Sequence, residues 1–128
     1  LSALEGKELK EEELIQSLRE SCSNLIFCEI QGQYYIETGK ETLPAELVLK
    51  AYDFFEQTVE LLLEQGGSLF YRLTDMDGVL RISVNLEGVC RTESLKEKYP
   101  LLHMEQEEEK EWFLALQLSE KGGRDEIL

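Results

Sequence analysis

From residue 7 to about residue 25 the apolar side chains Leu9, Leu14, Ile15, Leu18, Cys22 and Leu25 recur at helical spacing with charges between them. The spacing predicts a helix with one buried face. The pattern then shortens to LIFCEI (residues 25–30) and QYYIE (33–37), joined through Gly32, which predicts a hairpin or a bent strand. After the polar turn TGKET, Thr42 stands ready to cap and Pro44 sits where a first helical turn tolerates a missing N–H, so a second helix is expected to start near residue 44. Its apolar residues fall on two flanks, Leu47, Ala51, Phe55, Thr58 and Leu62 on one and Val48, Tyr52, Val59 and Leu63 on the other. A helix apolar over so wide an arc must be largely covered. The QGG at 65–67 ends it with a C-terminal glycine signal.

Strict alternation follows. SLFYRLTD and GVLRISVNLEG flank DMDG, the pattern of two strands closed by a tight hairpin turn. TESLKEKY reads as a short helix stopped before Pro100. LLHME and EWFLALQLSE then make a last pair of strands around the acidic turn QEEEK. The order is helix, two strands, helix, hairpin, short helix, hairpin. It predicts an α+β two-layer sandwich, with helices on one face of a mixed, mostly antiparallel sheet.

At 128 residues the chain has the length of one domain, and 42% apolar residues favour a folded one. Its 27 acids against 13 Lys and Arg give a net charge of −14, a field that repels phosphate backbones and anionic lipid. Nucleic acid and membrane surfaces are therefore excluded as partners of this fragment. Cys22, Cys28 and Cys90 form an odd set without a CxxC pair, fitting a reducing cytoplasm better than a disulfide scaffold; all three read as small core residues. The opening LSALEGKELKEEELIQ begins inside a helical pattern without an initiator Met, which suggests a connector over 1–13, a domain over 14–121 and a tail over 122–128.

Motif chemistry is sparse. His103 is the only histidine, with no acid or base at readable spacing, and no GxSxG, P-loop, HExxH or Cys/His cluster occurs. The aromatics Phe54, Phe55, Phe70, Tyr71, Trp112 and Phe113 are most simply core. Asp53, Glu56, Glu60 and Glu64, however, stack along one stripe of the second helix. Each like-charged pair costs only about 0.2–0.5 kcal/mol on an exposed helix, so a solvated face explains the stripe as well as a cation site does. Gly88 in NLEGVC ends a strand, as a turn or a close backbone approach requires.

The order of elements, and the run EQTVELLLEQGGS…DMDGVLRISVNLEG, resemble the ATP-binding domain of bacterial sensor histidine kinases, the Bergerat-type fold shared with gyrase and MutL. In that family the central helix carries a motif like EALTNALRHA, and the second hairpin strand ends in Asp-x-Gly. By resemblance, Glu56 takes the place of the helix glutamate, often regarded as general base. Glu60 stands where an asparagine holds magnesium against the triphosphate, with Glu64 a turn further along the same pocket wall. Gly88 matches the signature glycine, but Leu86 replaces the aspartate that reads the adenine amino group. Cys90 falls on a second glycine, and RTESLKEKYP replaces the glycine-rich phosphate loop.

These departures have physical consequences. A carboxylate at residue 60 adds negative charge beside a triphosphate, and a leucine at 86 leaves the adenine amino group unpaired, at about 1–3 kcal/mol. Losing the glycines removes backbone donors that cradle phosphate. The resemblance thus implies a degenerate ATP-binding-like domain of two-component signalling, without a bound cofactor, acting through protein contacts. Its partners would be other domains of the same protein, a homodimer mate or a response regulator. Two alternatives stand beside it: a divergent active kinase domain in which Glu56 and Glu60 both serve magnesium for Mg-ATP, and an unrelated α+β interaction module.

Overall fold

The structure, a computed structural model, describes residues 6–89 and 91–118. Cys90, the first five residues and 119–128, with the expected tail from 122, lie outside the described residues. Strand β1 (Glu8–Lys10) leads into helix α1 (Glu11–Asn24), a 3-10 turn (Leu25–Cys28) and strand β2 (Ile30–Glu37). Strand β3 (Thr42–Pro44) precedes helix α2 (Ala45–Leu62), and the hairpin β4 (Gly67–Met76) and β5 (Val79–Glu87) follows. Helix α3 (Glu93–Lys98) and the hairpin β6 (His103–Glu108) and β7 (Glu111–Leu118) complete the chain.

Five strands form one sheet in the order β2-β4-β5-β7-β6, with β2 parallel to β4 and the other pairs antiparallel. Alternation decides which face is covered. Leu69, Tyr71 and Leu73 of β4, Leu80, Ile82, Val84 and Leu86 of β5, and Leu114, Leu116 and Leu118 of β7 are buried, because a strand sends every second side chain to the same side. The helices lie on that side, so the expected mixed two-layer sandwich is what the chain forms. Tyr71 links the layers: its hydroxyl donates to the Ala51 carbonyl of α2 at 2.9 Å, and its ring meets Phe55 edge-on at 5.5 Å. Complete burial pushes the Tyr71 phenol well above its usual pKa. The DMDG turn behaves as its sequence says, with Asp77 and Gly78 both at positive φ.

Three local expectations need correction. First, the helix expected from residue 7 starts at Glu11; Glu8–Lys10 instead pair antiparallel with Thr42–Pro44. Leu9 packs partly against the core, the Ala45 N–H donates to the Lys7 carbonyl at 2.9 Å, and Glu11 N–H donates to the Glu41 carbonyl at 2.9 Å. Residues 7–11 are thereby tied to the body, and Glu11–Glu13 are the first turn of α1. Glu11 also accepts bonds from the backbone N–H and hydroxyl of buried Thr38. Thr42 pairs in β3 and donates its hydroxyl to Glu8, so it does not cap α2.

Second, residues 25–28 are a 3-10 turn, not the first arm of a hairpin. The sheet ends at β2, so this segment has no strand beside it; Glu29, at φ 60, turns the chain into β2. Only Leu25 of the turn is buried. Third, Cys28 is exposed and Cys22 half-buried, although both were expected in the core. Burial pushes the Cys22 thiol up to about 11.

Candidate functional site

Helix α2 positions most residues the sequence singles out. Its buried side carries Leu47, Val48, Ala51, Phe54, Phe55, Thr58 and Leu62. Thr58 is fully buried because its hydroxyl donates to the Phe55 carbonyl at 2.7 Å. The acidic stripe lies opposite, and Asp53, Glu56, Glu60 and Glu64 are all exposed. The stripe does not converge on one site. Asp53 accepts a hydrogen bond from the Tyr99 hydroxyl at 2.9 Å on the side of α3. Glu56 and Glu60 stand at a groove between α1 and α2, about 380 Å³ in volume, with Tyr52, Phe55 and Val59 also lining it. Across that groove the Ser21 and Tyr52 hydroxyls share a hydrogen bond of 2.6 Å. Glu64 lies past the last residue of the helix. Among the described residues, no group of three or more His, Cys, Asp or Glu side chains is placed to hold a metal ion.

Leu86 lies elsewhere, 1% exposed in β5 between Leu69 and Trp112. Gly88 approaches backbone rather than a cavity. At φ +107, a Cβ built on it would sit 2.7 Å from the Gly66 carbonyl oxygen, and one on Gly67 would sit 2.0 Å from that of Glu87. These glycines let the end of β5 press on the turn between α2 and β4, which only residues without a Cβ permit. The Gly88 N–H donates to the Lys110 carbonyl at 2.8 Å.

The glycine-free segment after β5 is packed down. Val89, Leu95 and Leu102 join the same buried cluster as Phe54 and Leu86, and Tyr99 packs partly against it. The Trp112 indole donates to the Val89 carbonyl at 3.1 Å, and Lys96 Nζ to the Leu102 carbonyl at 2.6 Å. Tyr99 meets Phe54 edge-on at 5.0 Å. Beside this contact a cavity of about 320 Å³ is bordered by Lys50, Asp53, Lys98 and the end of β7. Linear sequence offers no signal for the Tyr99–Asp53 bond, because the partners are 46 residues apart.

No protein-family model matches the chain, and no curated protein does. Solved structures do. The catalytic domain of histidine kinase ThkA, in a nucleotide-free form, superposes with a TM-score of 0.61 over 88% of this chain and 93% of that one, at 16% identity. This chain has the fold of a histidine-kinase catalytic domain. The Acinetobacter baumannii histidine kinase AdeS superposes at 0.60 over 88% of this chain and 66% of its own, at 5% identity. ThkA in complex with the response regulator protein TrrA matches at 0.58, over 88% of this chain and 41% of the ThkA chain, at 15% identity.

Within the kinase fold, the residues carried over by resemblance are not gathered around one cavity. Glu56 and Glu60 are exposed at the α1–α2 groove, whereas Leu86 is sealed in the core and Gly88 is closed against Gly66. Residue 86 presents no polar acceptor there, and residue 88 approaches its own chain. His103 is exposed on β6, 3.0 Å from Glu105 and edge-on to Phe113 at 6.4 Å. No described helix is long and apolar enough to cross a membrane.

Proposed function

We propose that the chain is a histidine-kinase-type domain of two-component signalling whose nucleotide site has degenerated, and that it acts in the cytoplasm through contacts with protein. The observation that carries this reading is the buried Leu86 at the position where the family reads adenine, followed by a packed segment in place of the phosphate loop. A buried leucine there leaves the adenine amino group without an acceptor, and no run of glycine amides remains to receive phosphate. The response regulator bound to ThkA supports a partner of that kind here, alongside other domains of the same protein.

Thermal melting with millimolar Mg-ATP, with magnesium alone and without either tests the reading. A ligand at 100 times its Kd adds about 2.7 kcal/mol, which raises the Tm of a domain this size by about 5–20 °C. The expected result is no shift. A shift that needs both nucleotide and metal, and that Glu56→Gln or Glu60→Gln removes, would establish the divergent active kinase instead.

A further inference from the structure

We propose that the groove between α1 and α2 is a docking site for a basic amphipathic helix of a partner protein. It deepens the protein-contact reading, on which it rests, by naming the surface and the chemistry of what fills it.

Leu25, Tyr52, Phe55 and Val59 line one part of the groove, and polar side chains line the rest. Both walls also end in uncovered apolar side chains. The chain leaves the groove at Leu25 into Ile26 and Phe27, which are 70% and 84% exposed, and α2 leaves it at Val59 and Glu60 toward Leu63, 50% exposed. These ends belong to one corner of the molecule. The Gly67 N–H donates to the Glu29 carbonyl at 3.2 Å, which fastens the exit of the 3-10 turn to the end of α2. Large apolar side chains at such exposure, next in the chain to residues that line a groove, mark a surface that is covered in use.

Charge selects the occupant. Glu56 and Glu60 are the ionisable groups among the residues lining the groove besides the Tyr52 phenol, and no Lys, Arg or His lines it. The whole chain carries −14, so a second copy would bring like charge to an acidic rim, whereas a basic segment meets complementary field. The walls also select conformation. Both are helices whose backbone groups are spent internally, so an extended segment would find no ladder to join; a helix satisfies its own backbone and inserts only side chains.

The test uses the 128-residue chain without nucleotide, so its outcome is separate from the Mg-ATP melt. The probe is a labelled 16-residue helical peptide with Leu at i, i+3, i+4 and i+7 positions and Lys on the other face, read by fluorescence anisotropy. Its counterpart carries Glu in place of Lys. We expect saturable binding of the Lys peptide alone. Ile26→Ser with Phe27→Ser, and separately Glu56→Lys with Glu60→Lys, should each weaken it about 10-fold or more, while Glu105→Lys with Glu108→Lys on the far edge strand changes it less than about 2-fold. Equal loss with the far-edge pair would reduce the effect to bulk charge and overturn the proposal. So would absence of saturable binding, or sedimentation showing a dimer of the chain that Phe27→Ser dissolves, since a second copy would then occupy the groove. Melts of each variant, all at exposed positions, confirm that folding is retained.

Discussion

The two flanks of α2 are built from similar residues and end in different states. Toward α3 the helix is covered at its aromatic: Phe54 is fully buried, Tyr99 packs on it edge-on, and the Tyr99 hydroxyl reaches over to Asp53, beside a cavity of about 320 Å³. Toward α1 it is half open, with Tyr52 and Val59 partly buried, a groove of about 380 Å³, and Ile26 and Phe27 uncovered beyond it. Helical periodicity demands cover for both flanks equally. What differs is the neighbour. The segment after β5 delivers Tyr99 onto one flank, while α1 meets the other and its chain turns away at Leu25. A broad apolar arc thus reports a need for cover, and an unfilled part of it points to a partner.

The sharpest way to break this contrast is to truncate one aromatic on each side. Phe54→Ala should cost about 3–5 kcal/mol, since it empties a fully buried site, and lower the Tm by about 10–25 °C. Phe27→Ala, at an exposed site, should stay within about 0.5 kcal/mol. Urea unfolding measures both, and a large loss at Phe27 would mean that the isolated chain already covers the corner.

A glycine contact joins the end of β5 to the turn between α2 and β4. Gly67→Ala combines an unfavourable backbone with a Cβ 2.0 Å from the Glu87 carbonyl, and about 2–4 kcal/mol of destabilisation is expected. Gly78→Ala is the control. It also has positive φ but nothing within 4 Å, so it should cost only about 1–2 kcal/mol. Equal costs at the two positions would show that conformation, not close packing, makes residue 67 glycine.

Smaller effects distinguish the hydroxyl bonds. Tyr99→Phe removes the bond to Asp53 and Tyr52→Phe the bond to Ser21; each should cost about 0.5–1.5 kcal/mol, with additivity in the double variant because the bonds share no partner. A coupling above about 0.5 kcal/mol would mean that the flanks communicate through α2. Thiol chemistry probes the seating of α1 with no change in stability at all. With its thiol raised to about 11, Cys22 is roughly 0.1% thiolate at pH 8, so peptide mapping after iodoacetamide should find it modified at least about 10-fold more slowly than exposed Cys28. Similar rates would show α1 lifting from β2.

The hairpin β4–β5, α2, α3 and the β6–β7 pair were legible because their patterns are local: alternation around Asp77-Gly78, apolar spacing from residue 47 to 62, and a stop before Pro100. The misread segments depend on distant chain. Residues 8–10 look helical by spacing and become a strand because residues 42–44 offer an unpaired edge. Residues 25–28 have strand composition but no strand to pair with. The candidate site divided along the same line. Exposure of Glu56, Glu60 and Glu64 was open to the eye as a solvated face, but nothing in the order of residues said that Asp53 would meet Tyr99 or that Gly88 would close on Gly66.

The sequence by itself determined the element types at the centre of the domain, the sign of its field and the residue types at the kinase-fold positions, since propensity, periodicity and charge are properties of short stretches of chain. Only the tertiary structure decided which flank of α2 is filled, whether Gly88 faces a ligand or its own backbone, and that Ile26 and Phe27 stand uncovered. Those outcomes depend on which surfaces meet once the backbone has closed on itself, and contact between residues tens of positions apart leaves no periodic trace in either segment.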